Sequence, residues 1–195
     1  MNSQAMVKVW DPLVRAFHWI LVIAFFTAYF TEDDFLTVHT YAGYTVLALI
    51  LVRLVWGVVG TRYARFSNFV TAPRVAWQYL KDTLKFRAKR YLGHNPAGGA
   101  MIVLLLISLL LTTLTGLAAY GASESAGPLA GWLGNIGETG EDIFKEVHEF
   151  FANFTVFLVA IHVAGVIFES LAHRENLVRA MFNGHKQTGH ETTSD

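Results

Sequence analysis

Four long apolar runs dominate the chain, and polar stretches separate them. A helix that crosses the hydrocarbon core of a bilayer needs about 20 predominantly apolar residues, and each run is about that long. The pattern therefore predicts an all-α fold, an integral membrane four-helix bundle. The predicted spans are residues 13–30, 36–59, 101–120 and 150–172.

The stretch TAPRVAWQYLKDTLKFRAKRYLGHNPAGG, between the second and third spans, predicts one further helix. We expect Thr71 to cap it, Pro73 to lie in its first turn and Gly93 to end it. Basic residues separate its helically spaced apolar side chains, which are Trp77, Leu80, Leu84 and Tyr91. This combination favours a cytoplasmic helix lying in the membrane surface. A soluble connector helix is the alternative.

Composition supports a membrane protein of one domain, with 53% apolar and 15% charged residues in 195. We predict a transmembrane domain over residues 1–182 and a polar, mobile tail over 183–195. The N-terminus lacks a signal-peptide pattern, so we expect the first span to be retained. Because the chain has no cysteine, it can form neither a disulfide nor a covalent C-x-x-C-H haem attachment.

Charge is segregated along the chain although the formal net charge is zero. All but one of the 15 Lys and Arg residues fall in segments that the four spans place on one side. The opposite loops are acidic, and Lys145 is the exception there. Because cytoplasmic loops carry the basic excess, we predict that both termini are cytoplasmic. The basic residues lie beside spans instead of forming a soluble basic face, so nothing indicates a nucleic-acid partner.

Two histidines mark the last span. His148 lies at its predicted outer end and His162 in its apolar middle, fourteen positions later. That spacing returns to nearly the same helix face roughly 21 Å further along. Ionisable side chains inside membrane spans usually mark functional sites, and imidazole is the common nitrogen ligand of haem iron.

The first and second spans supply matching histidines. By topology, His39 and His148 both lie near the outer surface, whereas His18 and His162 lie deeper, toward the cytoplasmic side. Each histidine alone is compatible with simple packing, but four that pair by depth predict two non-covalent bis-histidine haem sites. His173 lies on the same helix face as His162 and is the alternative haem ligand. Its position beside Arg174 at the water boundary, however, needs no functional explanation.

Small and basic residues accompany these ligands. Gly43 and Gly165 follow His39 and His162 on the same faces, where they admit either a flat porphyrin or a neighbouring helix. Haem propionates need cations or hydrogen-bond donors, and four residues are candidates for a propionate or haem-edge contact. They are Arg15, Arg53, Arg62 and Tyr63. For Arg53, the alternative to a haem contact is that its side chain extends to the membrane surface.

The chain from Trp10 to about Phe182 resembles the prokaryotic cytochrome b561 family, in particular the b-type cytochrome subunits associated with nickel-iron hydrogenases. The motifs that carry the resemblance are VWDPLVRAFHW, VHTYAGY, RLVWGVVGTRYARF, YLGHNPAGG and the His148/His162 spacing. The resemblance implies a four-helix bundle with two b-type haems. By position, His18 and His162 match the family's inner pair, and His39 and His148 match the outer pair.

The resemblance also implies a role as an electron-transfer subunit in the bacterial inner membrane. Electrons would pass between a quinone and a periplasmic-side redox protein, such as a hydrogenase or a c-type cytochrome. His94 and Asn95, in the GHNP segment, are candidates to hydrogen-bond a quinone carbonyl, and a structural turn there is compatible with that role. Two alternatives are a self-sufficient quinone-coupled enzyme acting on a small species such as superoxide, and a non-redox, proton-coupled membrane protein.

Overall fold

The computed structural model describes residues 6–32 and 34–188. Asp33, one of the residues predicted on the acidic side, and residues 189–195 of the predicted tail lie outside these ranges. The described chain is mostly helical, and its four longest helices are long and apolar enough to cross a membrane. They are α1 (Pro12–Phe30), α2 (Leu36–Val59), α4 (Pro96–Ser123) and α6 (Glu138–Ala172). The four predicted spans are therefore confirmed.

The helix α6 begins well before the predicted start at residue 150. Glu138 and Glu141 occupy its first turn, where carboxylates favourably face the positive end of the helix dipole. The outer loop that precedes it contains the short helix α5 (Ala130–Leu133). The extension matters because it makes one continuous helix carry both His148 and His162.

The chain separates into two compact units. The central unit consists of segments 18–54 and 101–161, and the terminal unit consists of segments 6–17, 55–100 and 162–188. In the central unit all four long helices pack around one apolar core, which includes Ala24, Phe25, Val46, Ile50 and Leu109. Burial of such side chains is worth roughly 1.5–3 kcal/mol each for the larger ones.

A buried hydroxyl cluster joins α4 to α6 in the central unit. The Thr155 hydroxyl lies 2.7 Å from that of Ser108 and 3.2 Å from that of Thr112. It also donates to the Phe151 carbonyl at 2.8 Å. Because these buried polar atoms have partners, they hold the two helices together without a desolvation penalty.

The terminal unit contains two short strands that were not predicted. Strands β1 (Met6–Lys8) and β2 (His185–Gln187) pair antiparallel, with Val7 opposite Lys186. The helix α7 (Leu177–Asn183) leads into β2 through Gly184, which adopts a φ of 82°. Regular structure thus continues through residue 187, into the segment that was predicted as a polar tail.

Lys186 is buried in this unit although it carries a formal charge. Its Nζ donates to the Tyr91 carbonyl at 3.1 Å and lies 3.1 Å from the Glu175 carboxylate. Arg90 lies 2.8 Å from the other oxygen of Glu175. Burial lowers the pKa of Lys186, and the contact with Glu175 opposes that shift. The ion pair therefore joins the terminal strand to Glu175 in the α6–α7 connection, and the hydrogen bond to Tyr91 joins it to the loop before α4.

The predicted connector helix is present but shorter than expected. The helix α3 spans Pro73–Leu84, and its cap residue is Ala72, so the prediction that Thr71 caps it is wrong. Pro73 occupies the first turn as predicted. Phe86 adopts a φ of 55°, a left-handed conformation that interrupts the helix before Tyr91 and Gly93.

Asp11 organises the start of α1. One carboxylate oxygen accepts a hydrogen bond from the Val14 amide at 3.0 Å, as in a helix cap. The other accepts from the Thr61 hydroxyl at 2.6 Å and the Trp56 indole at 3.2 Å. Burial by itself raises the pKa of Asp11, but these hydrogen bonds outweigh it, so the pKa lies below its ordinary value of 3.8.

We expect Asp11→Ala to lower the free energy of unfolding by roughly 2–4 kcal/mol, since it removes a cap and leaves the buried Val14 amide and two partly buried side-chain donors unpaired. Because the folded pKa is lowered, the carboxylate's contribution is complete above the ordinary pKa and is lost as the pH falls through the folded value. Acid unfolding of the two proteins in detergent measures both effects. The exposed Asp34→Ala is the control, and equal stability of wild type and Asp11→Ala at neutral pH would contradict the prediction.

Candidate functional site

His39 and His148 face each other in the central unit. His39 lies in the first turn of α2 and His148 lies in α6, and their ring centroids are 5.9 Å apart with the planes at 89°. Two imidazoles that bind one metal from opposite sides have centroids roughly 6 Å apart, if metal–nitrogen bonds are about 2.0–2.1 Å long. The structure therefore brings the predicted outer pair to a separation that suits one metal ion.

A backbone carbonyl orients each of the two rings. Nδ1 of His39 lies 2.9 Å from the Ala28 carbonyl oxygen, and Nδ1 of His148 lies 2.9 Å from the Thr112 carbonyl oxygen. A carbonyl only accepts, so each Nδ1 must carry the proton. The lone pair then lies on Nε2 of both rings, which is the arrangement of a metal-ligating histidine with a second-shell partner.

A cavity of about 530 Å³ adjoins the two rings, and both line its wall. Cofactor and ligand sites typically enclose about 300–1,000 Å³. Gly43 also lines the cavity, and no heavy atom lies within 4 Å of where its Cβ would be. The predicted open space beside Gly43 is therefore present.

Gly116 is a functional candidate that the sequence did not suggest. A Cβ at this position on α4 would lie 2.8 Å from Cε1 and 3.1 Å from Nδ1 of His148. Since real Cβ contacts are not that short, the His148 ring occupies space that only glycine leaves open. Gly116 is also one helical turn from Thr112, whose carbonyl accepts from the same ring.

The pair suits a haem better than a bare metal ion. Within residues 6–32 and 34–188, no group of three or more His, Cys, Asp or Glu side chains could hold a metal ion. A haem iron needs only two axial protein ligands, because the porphyrin supplies the rest. The imidazole pair, the adjoining cavity and the open face at Gly43 together fit a b-type haem.

The structure does not test the second predicted pair. His18 belongs to the central unit, whereas His162 belongs to the terminal unit. Both rings are partly buried, and that of His18 packs edge-on against Trp19 with centroids 4.9 Å apart. The alternative haem ligand, His173, follows the last residue of α6; its Nε2 lies 3.2 Å from the Glu169 carboxylate but makes no hydrogen bond among the described residues.

The predicted propionate residues are distributed over both units. Arg15 lies against Gly184, and its buried Nε has no hydrogen-bond partner among the described residues. Arg53 is 3% exposed within α2. The Arg62 guanidinium lies 5.7 Å from the centre of the Tyr63 ring. No atom lies within 4 Å of a Cβ built at Gly165.

The two quinone candidates have different surroundings in the terminal unit. The His94 ring packs between Trp10 and Phe69, with centroid distances of 4.5 and 4.9 Å. Asn95 caps α4, because its Oδ1 accepts from the Gly98 amide at 2.7 Å. The structural turn expected for this segment is present.

Four membrane-length helices with an imidazole pair beside a cofactor-sized cavity define a membrane b-type cytochrome. The chain belongs to the prokaryotic cytochrome b561 family, whose model matches residues 9–184. It is accordingly a multi-pass membrane protein of electron transport that uses haem b.

Curated relatives agree with this assignment. A probable Ni/Fe-hydrogenase B-type cytochrome subunit of Azotobacter vinelandii is 27% identical over 94% of this chain and 90% of its own length. The protein of the same description from Cupriavidus necator is 26% identical over 91% and 86%. A probable Ni/Fe-hydrogenase 1 B-type cytochrome subunit of Escherichia coli is 31% identical over 57% and 59%. No solved structure matches the chain significantly.

Proposed function

We propose that the chain carries electrons across the bacterial inner membrane, between the quinone pool and a periplasmic-side redox protein, through two b-type haems. The observation that carries the proposal is the facing pair His39 and His148, with each Nδ1 hydrogen-bonded to a backbone carbonyl. This arrangement leaves the Nε2 lone pair of each ring available beside a cavity large enough for a cofactor.

The residues around the pair restrict the chemistry to electron transfer. When bound, haem supplies a reversible one-electron change at iron. If His39 and His148 both held the iron, oxygen or another small ligand would find no open position at the metal. The carbonyls of Ala28 and Thr112 hold the rings in one tautomer and orientation. An enzyme that activates a small species at this site is therefore less well supported.

We assign the second haem to His18 and His162. Along one continuous helix such as α6, fourteen residues return to nearly the same face roughly 21 Å further on, which supports His162 as the deeper ligand. His162 lies within α6 and His173 lies past its last residue, which supports His162 as the ligand. The buried Nε of Arg15, one helical turn from His18, is a suitable donor for a propionate of this haem.

Charge and exposure support a cytoplasmic location for both termini. The helix α3 exposes the apolar side chains of Trp77, Leu80 and Leu84 while it buries Ala76, Tyr79 and Thr83. Exposed apolar residues beside basic ones are typical of a helix in the lipid headgroup layer. Anionic headgroups on the cytoplasmic leaflet would attract its two basic residues, Arg74 and Lys81.

The aromatic surroundings of His94 support it as a quinone-binding residue. Its ring packs against that of Trp10 and, edge-on, against that of Phe69, a setting that suits a flat quinone head. We propose that a ring nitrogen of His94 hydrogen-bonds a quinone carbonyl.

The acidic mouth of the cavity supports docking of a cationic redox partner. Glu32, Glu124, Glu141, Asp142 and Glu149 all line the cavity that holds the His39–His148 pair. Opposite charges on two proteins accelerate their encounter and fix its orientation. The names of the relatives favour a Ni/Fe hydrogenase as the partner, and a c-type cytochrome is the alternative.

Electron transfer in liposomes tests this function. With quinol in the membrane and a cationic c-type cytochrome outside, we expect acceptor reduction that requires the haem-loaded protein and slows as ionic strength rises. His94→Phe keeps a stacking ring but removes its nitrogens, so it should slow reduction by quinol without loss of haem. The exposed His185→Phe is the matched control. Turnover at the full rate without an acceptor protein would favour a self-sufficient enzyme instead.

A further inference from the structure

The cavity beside His39 and His148 has an apolar end and a charged end. Phe25, Val46, Leu47 and Leu109 line its apolar part, and three of them belong to the core of the central unit. The charged part is formed where α1 and α4 end and α6 begins. A haem has an apolar edge and a propionate edge, so burial of each in its own environment orients the propionates toward the charged end.

This charged end is unfavourable for propionates except at one residue. Five carboxylates line the cavity, those of Glu32, Glu124, Glu141, Asp142 and Glu149. Among the described lining residues, Lys145 is the one Lys or Arg. Two additional carboxylates placed there would meet mainly like charges, which cost energy unless a cation lies between them. The cation at position 145 is therefore the group that makes this orientation possible.

Lys145 is placed to reach a haem held by His148. It precedes His148 by three residues in α6, so it lies on the same side of the helix, one turn nearer the charged end. Across the described part of the chain, no ion pair occupies its ammonium, although acidic residues lie three and four positions away. Its side chain is exposed in the structure, so it is free to turn toward the cavity.

We propose that Lys145 binds a propionate of the haem that His39 and His148 hold. The inference rests on the proposed haem site and assigns to it a residue that the sequence marked only as an exception to the charge rule. The ammonium group supplies a charge-assisted hydrogen bond to the propionate. It also places a positive charge near the iron, which favours the reduced state.

Two measurements on the haem-loaded protein test this contact without relying on activity. The first is the midpoint potential of each haem by spectroscopic titration, and the second is the rate of haem loss to excess apo-globin. For Lys145→Gln we expect a lower midpoint potential at the His39–His148 haem. The shift should correspond to roughly three- to tenfold weaker binding of the electron. We also expect faster haem loss, and Lys145→Arg should restore both values. Lys81→Gln, which removes an exposed lysine from α3, is the matched control.

Reconstitution with haem dimethyl ester separates a propionate contact from a general field effect. Esterified propionates carry no charge, so Lys145→Gln should no longer accelerate haem loss relative to wild type. An effect of equal size with the ester, or no effect with native haem, would overturn the inference. Failure of the haem site itself has a different signature, because His39→Ala would then leave the haem content unchanged.

Discussion

Replacing His39 with alanine should halve the haem content, from two haems per chain to one. The change removes one of the two imidazoles that lie 5.9 Å apart, and a haem with one axial protein ligand is held far more weakly. His148→Ala should remove the same spectral component, since both residues belong to one site. His18→Ala and His162→Ala should each remove the other component and spare this one. Haem counting and reduced-minus-oxidised spectra measure these losses.

Two histidines outside the proposed sites serve as controls for that experiment. His173 lies past the end of α6, with its Nε2 3.2 Å from the Glu169 carboxylate, and Nδ1 of His185 lies 2.8 Å from the Asn183 carbonyl oxygen. His173→Ala and His185→Ala should therefore keep both haems. Retention of two haems in His39→Ala would refute the pairing, and loss of a haem in His173→Ala but not in His162→Ala would exchange the assignment of the second site.

The spans and the outer histidine pair could be predicted because the bilayer imposes strong constraints. Backbone polar groups have no water partners in hydrocarbon, so long apolar runs must be helical. Alternating helix directions then place His39 and His148 at similar depth, and the two rings lie 5.9 Å apart in the structure. The same reasoning paired His18 with His162, and that pair stays a prediction.

Features that depend on distant contacts could not be predicted from local patterns. Asp11 accepts hydrogen bonds from residues 45 and 50 positions away, and the strands β1 and β2 have three residues each. The spacing of apolar residues around Phe86 does not predict its left-handed backbone conformation, which ends α3 early. Hydrophobic periodicity reports on one helix or strand at a time, so it cannot predict long-range contacts of this kind.

Gly116 illustrates the same limit at the site itself. A glycine in an apolar helix is common in membrane proteins and usually reflects helix packing. Its role follows from a neighbour 32 positions later, because the His148 ring lies where its Cβ would be. The orientation of the His148 imidazole therefore depends on two helices: α6 carries the histidine, and α4 leaves space for its ring at Gly116.

We expect Gly116→Ala to abolish most haem binding at the His39–His148 site while leaving the fold intact. The new Cβ would lie 2.8 Å from Cε1 of His148, so the ring must rotate away from the Thr112 carbonyl and its Nε2 must leave the metal position. The helix itself should become more stable, since alanine is favoured over glycine by roughly 0.8–1.0 kcal/mol. Opposite signs for haem content and protein stability would distinguish ligand displacement from unfolding.

The variant Gly43→Ala sharpens this test, because its Cβ meets no protein atom within 4 Å. Any loss of haem in Gly43→Ala must then come from contact with the cofactor in the cavity, whereas loss in Gly116→Ala comes through His148. Gly131→Ala, which also has open space but does not line the cavity, should keep both haems. Full occupancy and an unchanged spectrum in Gly116→Ala would show that the His148 ring does not need its observed orientation, and the axial-ligand assignment would lose its geometric basis.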